Sequence, residues 1–380
     1  MIQKNKNLKM SKALLITLAI FLIFILPCFL SLSLQIQTEP STLGIGYFLN
    51  KTITTDAYCL DGSGPLYYHV PGIDSGSTKW YIHFEGGGWC SSLEDCFNRA
   101  QTNLGSTLQD PPYQYFSDGY FSNIVSDNSL LFNWNKIYIR YCDGGSFSGD
   151  NVSYYGNNTL YFKGKKIMDA VFQDLFKNRG LDVATDVVVS GASAGGLASI
   201  LHGDYVKELV GENKKVVMMP DGGFFLDFVG TNVDYHSQMR WVFETMNCRG
   251  GVNQKCVDFY GKDDWKCFFA EYSLPFVATP VFVLQSKHDS WQIINILGDL
   301  NASSVNKYGN ELISRLGGSL LSFEKNSGFV DSCLHHCGNF RNQIHIGNVT
   351  QSQAFYLWYN GIEKKAYVQD KDYVCTECCA

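Results

Sequence analysis

The stretch VVVSGASAGGLASIL, residues 187 to 201, sets Ser193 between glycines where a run of valines gives way to small and apolar residues. Gly191-Ala192-Ser193-Ala194-Gly195 satisfies Gly-x-Ser-x-Gly. Asp186 to Ser190 reads as a strand and Leu197 to Val210 as a helix, the context that a nucleophile elbow requires. The turn is so sharp that its neighbours must approach with almost no side chain, which leaves the serine oxygen exposed at the N-terminal end of the helix. The same small residues would also let a helix pack closely on a strand with no chemistry at all. Ser193 must therefore be weighed with its partners.

A serine hydroxyl is a poor nucleophile near neutral pH; it needs a histidine to take its proton and a carboxylate to orient the imidazole. On a strand-turn-helix scaffold these follow in the order serine, acid, histidine. Asp289, in TPVFVLQSKHDSWQI, is the acid candidate because it comes just after a strand-like run, whereas Asp299 lacks that placement. The competing reading of Asp289 is a turn or helix-cap aspartate. The late histidines are His335, His336 and His345. Two of them sit in DSCLHHCGNF between Cys333 and Cys337, where a disulfide at one or both cysteines would fix the loop presenting the base. Residue types and spacing do not choose between the neighbours.

Acyl transfer also needs donors for the oxyanion, commonly the N–H after the nucleophile and others from an early loop after a strand. HFEGGGWC, residues 83 to 90, follows the strand-like WYIHF and offers that loop. Its three glycines allow close backbone approach to a ligand. No Gly-Lys-Ser/Thr follows them, so a phosphate loop is excluded.

The elements that must position these groups are legible as apolar runs. Trp80 to Phe84, Lys136 to Tyr141, Asp186 to Ser190, Lys215 to Met219 and Pro280 to Gln285 suit buried strands. In KGKKIMDAVFQDLFKNRGL, Ile167, Val171 and Leu175 recur every four residues, as do Met168, Phe172 and Phe176, and Gly180 is a stop signal. Strands alternating with helices predict an α/β fold with a largely parallel sheet covered on both faces. No repeat or linker breaks the chain after residue 40, so residues 38–380 are expected to form one domain.

The N-terminus places Lys4, Lys6, Lys9 and Lys12 before an uncharged stretch from Ala13 to Gln37. Residues 1–37 are expected to be a signal peptide, with an uncleaved anchor as the alternative because the stretch is long enough to span a bilayer. Either way the remaining chain enters a lumen or leaves the cell. The twelve cysteines beyond Cys28 form an even set that suits disulfide-linked loops in an oxidising compartment. Zinc at Cys333/Cys337 or Cys375/Cys378 is the weaker reading, for want of a partner pair at finger-like spacing. Sequons at Asn50, Asn151, Asn157, Asn301 and Asn348 fit the same compartment. A net charge of −6, with no basic run outside the extreme N-terminus, argues against nucleic acid as a partner. No cofactor or metal is implied by serine chemistry.

HFEGGGWCSSLEDC, YCDGGSFSGD, YFKGKKIMDAVFQDL, SGASAGGLASILHGD, DGGFFLD, HDSWQI and DSCLHHC follow one another in the order seen in plant-type pectin acetylesterases, the group that also includes the Notum carboxylesterases. The resemblance covers roughly residues 45 to 360 and implies a secreted, α/β-hydrolase-like serine esterase. Carried over residue by residue, it implies Ser193 as nucleophile, Asp289 as orienting acid and His336 as general base. It chooses His336 because the pattern Ser-Cys-x-x-His-Cys reads here as Ser332-Cys333-Leu334-His335-His336-Cys337. It implies the N–H groups of Gly88, Trp89 and Ala194 as oxyanion donors, and leaves the Trp89 ring to wall the acyl pocket or to pack in the core. The substrate it implies is an O-acetyl ester on a pectin-like polysaccharide. The alternatives are a fatty-acyl group on a protein, as in the Notum branch, and an inactive glycan-binding protein on the same scaffold. The sequence departs from the family at His288, where a tyrosine is common, and at His335, where alanine or serine is common, and it carries an unusual C-terminal VCTECCA.

Overall fold

Val187, Val188 and Val189 are all fully buried, which alternating side chains permit only in a strand covered on both faces. The computed structural model describes residues 42–49, 56–116, 119–321 and 323–379. The leader at residues 1–37 and the sequon at Asn50 lie outside them. Ten strands form one sheet: β1 (Thr42–Phe48), β2 (Leu66–Val70), β3 (Lys79–Phe84), β4 (Tyr113–Phe116), β5 (Asn135–Ile139), β8 (Asp186–Ala192), β9 (Lys215–Asp221), β10 (Phe282–Ser286), β11 (Ser327–Asp331) and β14 (Tyr367–Val368). Two small hairpins account for β6 and β7 (Asn151–Tyr155 and Asn158–Phe162) and for β12 and β13 (His345–Ile346 and Val349–Thr350).

The order across the sheet is β14-β11-β10-β9-β8-β3-β5-β2-β1-β4. Pairing from β14 through β5 is parallel, and β2, β1 and β4 add an antiparallel flank. Val187 and Val189 face a core that includes Ile167 and Val171 of α2 (Gly164–Asp174) and Leu197 and Leu201 of α3 (Ala194–Val210). Val188 faces the opposite layer, with Phe282, Phe329 and Phe355 of α6 (Gln351–Tyr359). The remaining α-helices of eight residues or more among the described residues are α1 (Leu93–Ala100), α4 (Tyr235–Thr245) and α5 (Ala302–Leu316). This is the expected α/β-hydrolase-like fold, and each of the five strand-like runs lies on a strand of the sheet. The helix α2 continues into a wider turn at Leu175–Arg179, and Gly180 ends it with φ 87°, the left-handed stop that its lack of a Cβ allows. None of the described helices is long and apolar enough to cross a membrane.

Register brings the C-terminal ends of the central strands into line. Phe84 pairs with Gly191, Ala192 with Asp221, Leu284 with Asp221, and Ser286 with Asp331. Loops leaving β3, β8, β10 and β11 therefore emerge side by side, along the edge where parallel α/β sheets present their ligand sites.

Disulfides join Cys59 to Cys142, Cys90 to Cys96, Cys256 to Cys267, Cys333 to Cys379 and Cys375 to Cys378. The even set of cysteines does not pair off completely: Cys248 and Cys337 are free thiols. Cys337 packs instead against the Asp221 carbonyl at 3.7 Å, and Cys248 against the Val242 carbonyl at 3.7 Å. Of the two cysteines flanking the adjacent histidines, only Cys333 is bridged, and its partner comes from the C-terminal VCTECCA, whose place in the fold is thereby explained. Cys375 and Cys378 are joined to each other, so they do not offer thiolates to zinc.

Candidate active site

Ser193 sits between β8 and α3 with φ 59° and ψ −124°, a conformation that residues other than glycine rarely adopt. Its N–H donates to the Asp221 carbonyl at 2.8 Å, anchoring the turn to the neighbouring strand. The flanking glycines are sterically required. A Cβ on Gly191 would stand 2.1 Å from the Gly195 carbonyl oxygen, and one on Gly195 would stand 2.1 Å from that of Phe84.

His336 Nε2 lies 2.7 Å from Ser193 Oγ, and Nδ1 lies 2.9 Å from both carboxylate oxygens of Asp289. The three residues come from loops after β8, β10 and β11, so nothing in the chain between them needs to be short. Asp289 is fully buried. Its Oδ1 also accepts the N–H groups of Trp291 and Gln292 at 3.0 Å, and its Oδ2 accepts the side-chain amides of Gln285 and Gln292 at 3.1 Å. Asp289 thus caps the helical turn that follows it and is at the same time a hydrogen-bond partner of His336. The imidazole is a fifth exposed and is flanked by Trp291 and Phe225, with ring centroids 5.8 and 5.9 Å away.

The glycine loop passes close to the serine turn. A Cβ on Gly86 would meet the Ala192 carbonyl oxygen at 2.2 Å and Ser193 Cβ at 2.9 Å. Gly87 and Gly88 adopt φ 149° and 68°. Their carbonyls accept from Arg99 at 2.9 Å and from the Tyr141 hydroxyl at 2.8 Å. Among the described residues, the N–H groups of Gly88, Trp89 and Ala194 have no hydrogen-bond acceptor within the chain, and that of Ala194 opens α3, whose first donors have no partner in the helix. Cys90–Cys96 then staples the loop to α1. The Trp89 ring packs 5.0 Å from Phe225 and 5.9 Å from Trp291, and it lines a cavity of about 380 Å³ with Gly88, Tyr235 of α4 and Trp291.

Sequence reasoning misses Ser146. Its Oγ accepts from Trp89 Nε1 at 2.8 Å and donates to the Ala194 carbonyl at 2.9 Å, linking the glycine loop to the first residue of α3. Its one signal is its place in the YCDGGSFSGD motif. Gln285 and Gln292 escape as well, although a glutamine ending a buried strand demands a partner.

The unusual histidines lie beside Ser193, Asp289 and His336 without hydrogen-bonding to them. His335 Nε2 is 2.9 Å from the buried Asp331 carboxylate. Burial pulls the pKa of His335 down, but the Asp331 carboxylate overrides it and leaves the imidazole above its ordinary value. His288 is buried, which lowers its pKa, and its Nδ1 is 3.1 Å from the Ser332 carbonyl oxygen. His345, the third late histidine, belongs to the β12–β13 hairpin.

A family model described as Pectinacetylesterase matches residues 39–380. Pectin acetylesterase 5 of Arabidopsis thaliana is 34% identical over 357 residues, covering 85% of this chain and 82% of the relative. Palmitoleoyl-protein carboxylesterase notum1a of Danio rerio is 28% identical over 341 residues, covering 83% of this chain and 65% of the relative. The structure of the Wnt deacylase Notum from Drosophila superposes with a TM-score of 0.76 at 23% identity, over 89% of this chain and 100% of that one, a likeness of fold. Since the family model spans almost the whole chain and the Arabidopsis relative exceeds 30% identity over most of both lengths, the chain belongs to the pectinacetylesterase family of carboxylic ester hydrolases.

Proposed function

We propose that the protein hydrolyses O-acetyl esters of a pectin-like polysaccharide through Ser193, His336 and Asp289. The observation that carries this reading is the single imidazole that bridges Ser193 Oγ at 2.7 Å and the Asp289 carboxylate at 2.9 Å. His336 takes the Ser193 proton as Oγ attacks the ester carbonyl. The oxyanion is received by the N–H groups of Gly88, Trp89 and Ala194, each such donor being worth roughly 3 kcal/mol in comparable sites. The intermediate collapses as His336 returns its proton to the leaving alcohol oxygen. Water, deprotonated by the same imidazole, then attacks acyl-Ser193 and frees acetate and the serine.

The acetyl reading draws on the relatives named pectin acetylesterases and on the 380 Å³ cavity. Beside its tryptophans stand the polar side chains of Ser91, Asp95, Gln238 and Asn295. A fatty-acyl chain needs a deep apolar cavity and would desolvate such groups without repaying them, which disfavours the Notum-like alternative. An inactive glycan-binding protein would have no use for a fivefold-bonded Asp289 aimed at a histidine. Placement in the secretory lumen or outside the cell is supported by the lysine-led apolar N-terminus and by five disulfides. A single-pass anchor at residues 1–37 remains the alternative leader.

The test is acetate release from acetylated pectin by protein from residue 38 onward, with Ser193→Ala beside it. Release by the wild type and a fall of about 10⁴-fold or more in kcat for the variant are expected. Equal rates for the two would sink the assignment of Ser193.

A further inference from the structure

Two of the three N–H groups assigned to the oxyanion lie on a pliable stretch of chain. Gly87 and Gly88 adopt φ 149° and 68°, conformations that glycine enters without steric cost, and neither has a Cβ to hold a peptide plane in place. Something else must keep these peptides from turning over and aiming their N–H groups away from the ester.

A trans peptide carries its C=O and its N–H on opposite sides of one plane, so whatever fixes the carbonyl aims the N–H. The N–H of Gly88 shares a peptide with the Gly87 carbonyl, which accepts from Arg99 Nη1 at 2.9 Å. The N–H of Trp89 shares one with the Gly88 carbonyl, which accepts from the Tyr141 hydroxyl at 2.8 Å. The N–H of Ala194 shares one with the Ser193 carbonyl, which accepts from the Leu197 N–H at 2.9 Å inside α3. Each of the three is thus aimed from behind, one by the helix and two by side chains.

The direction of the two side-chain bonds follows from the groups themselves. Arg99 only donates. The Ser146 N–H, also only a donor, stands 3.0 Å from the Tyr141 oxygen, which leaves the single Tyr141 proton for Gly88. Both side chains are themselves held. Tyr141 is fully buried, and the Cys59–Cys142 disulfide pins the residue after it. Arg99 lies in the last turn of α1, donates through Nε to the Leu104 carbonyl at 3.0 Å, and sets its guanidinium 5.1 Å from the centroid of the Tyr141 ring. A carbonyl that accepts a hydrogen bond also polarises its amide, which strengthens the N–H as a donor.

We propose that Tyr141 and Arg99 are positioning residues for ester hydrolysis, holding the Gly88–Trp89 and Gly87–Gly88 peptides with their N–H groups turned to the oxyanion. The proposal rests on the serine mechanism above for the place where the charge develops. Its test reads the acidity of an adduct as well as turnover. Trifluoroacetone, isotopically labelled at its carbonyl carbon, adds to an active serine: Ser193 Oγ bonds to that carbon, the carbonyl oxygen takes the electron pair of the broken π bond, and the serine proton passes to His336. The pH at which the carbon NMR shift titrates is the pKa of the hemiketal hydroxyl, which donors aimed at its oxygen lower.

In Tyr141→Phe and in Arg99→Met the hemiketal pKa is expected to rise by about one to two units and kcat on a small acetyl ester to fall by about 10- to 100-fold, with KM changed less than about threefold. Tyr359→Phe takes a buried hydroxyl from Asp186, at the other end of β8 from Ser193, and is the control: it should lower the melting temperature and leave the hemiketal pKa where it is. An adduct with the same pKa in the wild type and both variants, or a loss of activity carried by KM, would overturn the proposal. If Tyr141→Phe does not fold, Arg99→Met, which alters a half-buried side chain, decides alone. A wild-type protein that forms no adduct overturns the serine mechanism, and this proposal with it.

Discussion

Asp221 accepts the N–H of Ser193 on its main-chain carbonyl at 2.8 Å, while its carboxylate accepts the N–H groups of Gly338 at 3.1 Å and Asn339 at 2.8 Å. One residue at the end of β9 thus holds the serine turn with its backbone and the loop carrying His336 with its side chain. The Tyr120 hydroxyl completes the set of donors, and burial pushes the Asp221 pKa up. The separation of Ser193 from His336 depends on this brace. Replacing Asp221 by Asn exchanges an acceptor for an NH₂ group that faces existing donors. We expect about 1–3 kcal/mol of lost stability and, because a displacement near 1 Å can cost about 10²-fold, a fall in kcat of that order with KM on a small acetyl ester changed much less. Steady-state kinetics and a melting curve on the same sample check both.

The two ends of the glycine loop should respond differently to one methyl group. At Gly88 an added Cβ meets nothing within 4 Å, so the cost is the left-handed φ of 68°, about 1–2 kcal/mol. At Gly86 the methyl collides with the Ala192 carbonyl and Ser193 Cβ. Gly88→Ala should fold and retain measurable turnover, whereas Gly86→Ala should lose acetate release or fail to fold. Comparable activity in the two variants would contradict the packing of the loop on the serine turn.

His335 should make stability depend on pH. Its folded pKa lies above the ordinary histidine value because of Asp331, so its contribution is complete below the unfolded pKa near 6.5 and is lost as pH rises through the folded pKa. His335→Gln should therefore destabilise by about 1–3 kcal/mol when measured below the unfolded pKa and by clearly less well above the folded one. A melting series of both proteins across that range reads the difference directly.

The C-terminal tail should matter to catalysis. Cys379 closes a loop of 46 residues onto Cys333, three positions before His336. Cys379→Ser is expected to cost about 2–4 kcal/mol and to lower kcat, because the bridge restrains the loop that presents His336. An unchanged melting temperature under non-reducing conditions would show that the tail is not restraining that loop.

The central strands are legible in the amino-acid sequence because a parallel strand buried on both faces is apolar at every position, as in Val187 to Val189 or Phe282 to Leu284. β11, SGFVD, escapes such a reading because five residues containing a glycine, a serine and an aspartate carry no apolar run, and only pairing with β10 and β14 makes them a strand. The edge strand β4 and its neighbour β1 escape it for a related reason: this end of the sheet is exposed, so their pattern is mixed.

Ser193, Asp289 and the late histidines are visible as residue types in a chemically meaningful order, and the glycines around Ser193 are dictated by sterics that act within a few residues. The neighbours His335 and His336 are the instructive pair. Both are imidazoles in one short loop, and local sequence treats them alike. The fold sends His336 to Asp289 and Ser193 and His335 to Asp331, because the ends of β8, β10 and β11 are in register and adjacent side chains point apart. The same holds for Ser146, Asp221 and the Cys333–Cys379 bridge, whose partners lie on other elements, far away in the chain. Sequence by itself determined which local conformations and which chemical groups were available; only tertiary structure decided which groups meet, since contacts between distant segments depend on strand register and loop closure rather than on any property of the neighbouring residues.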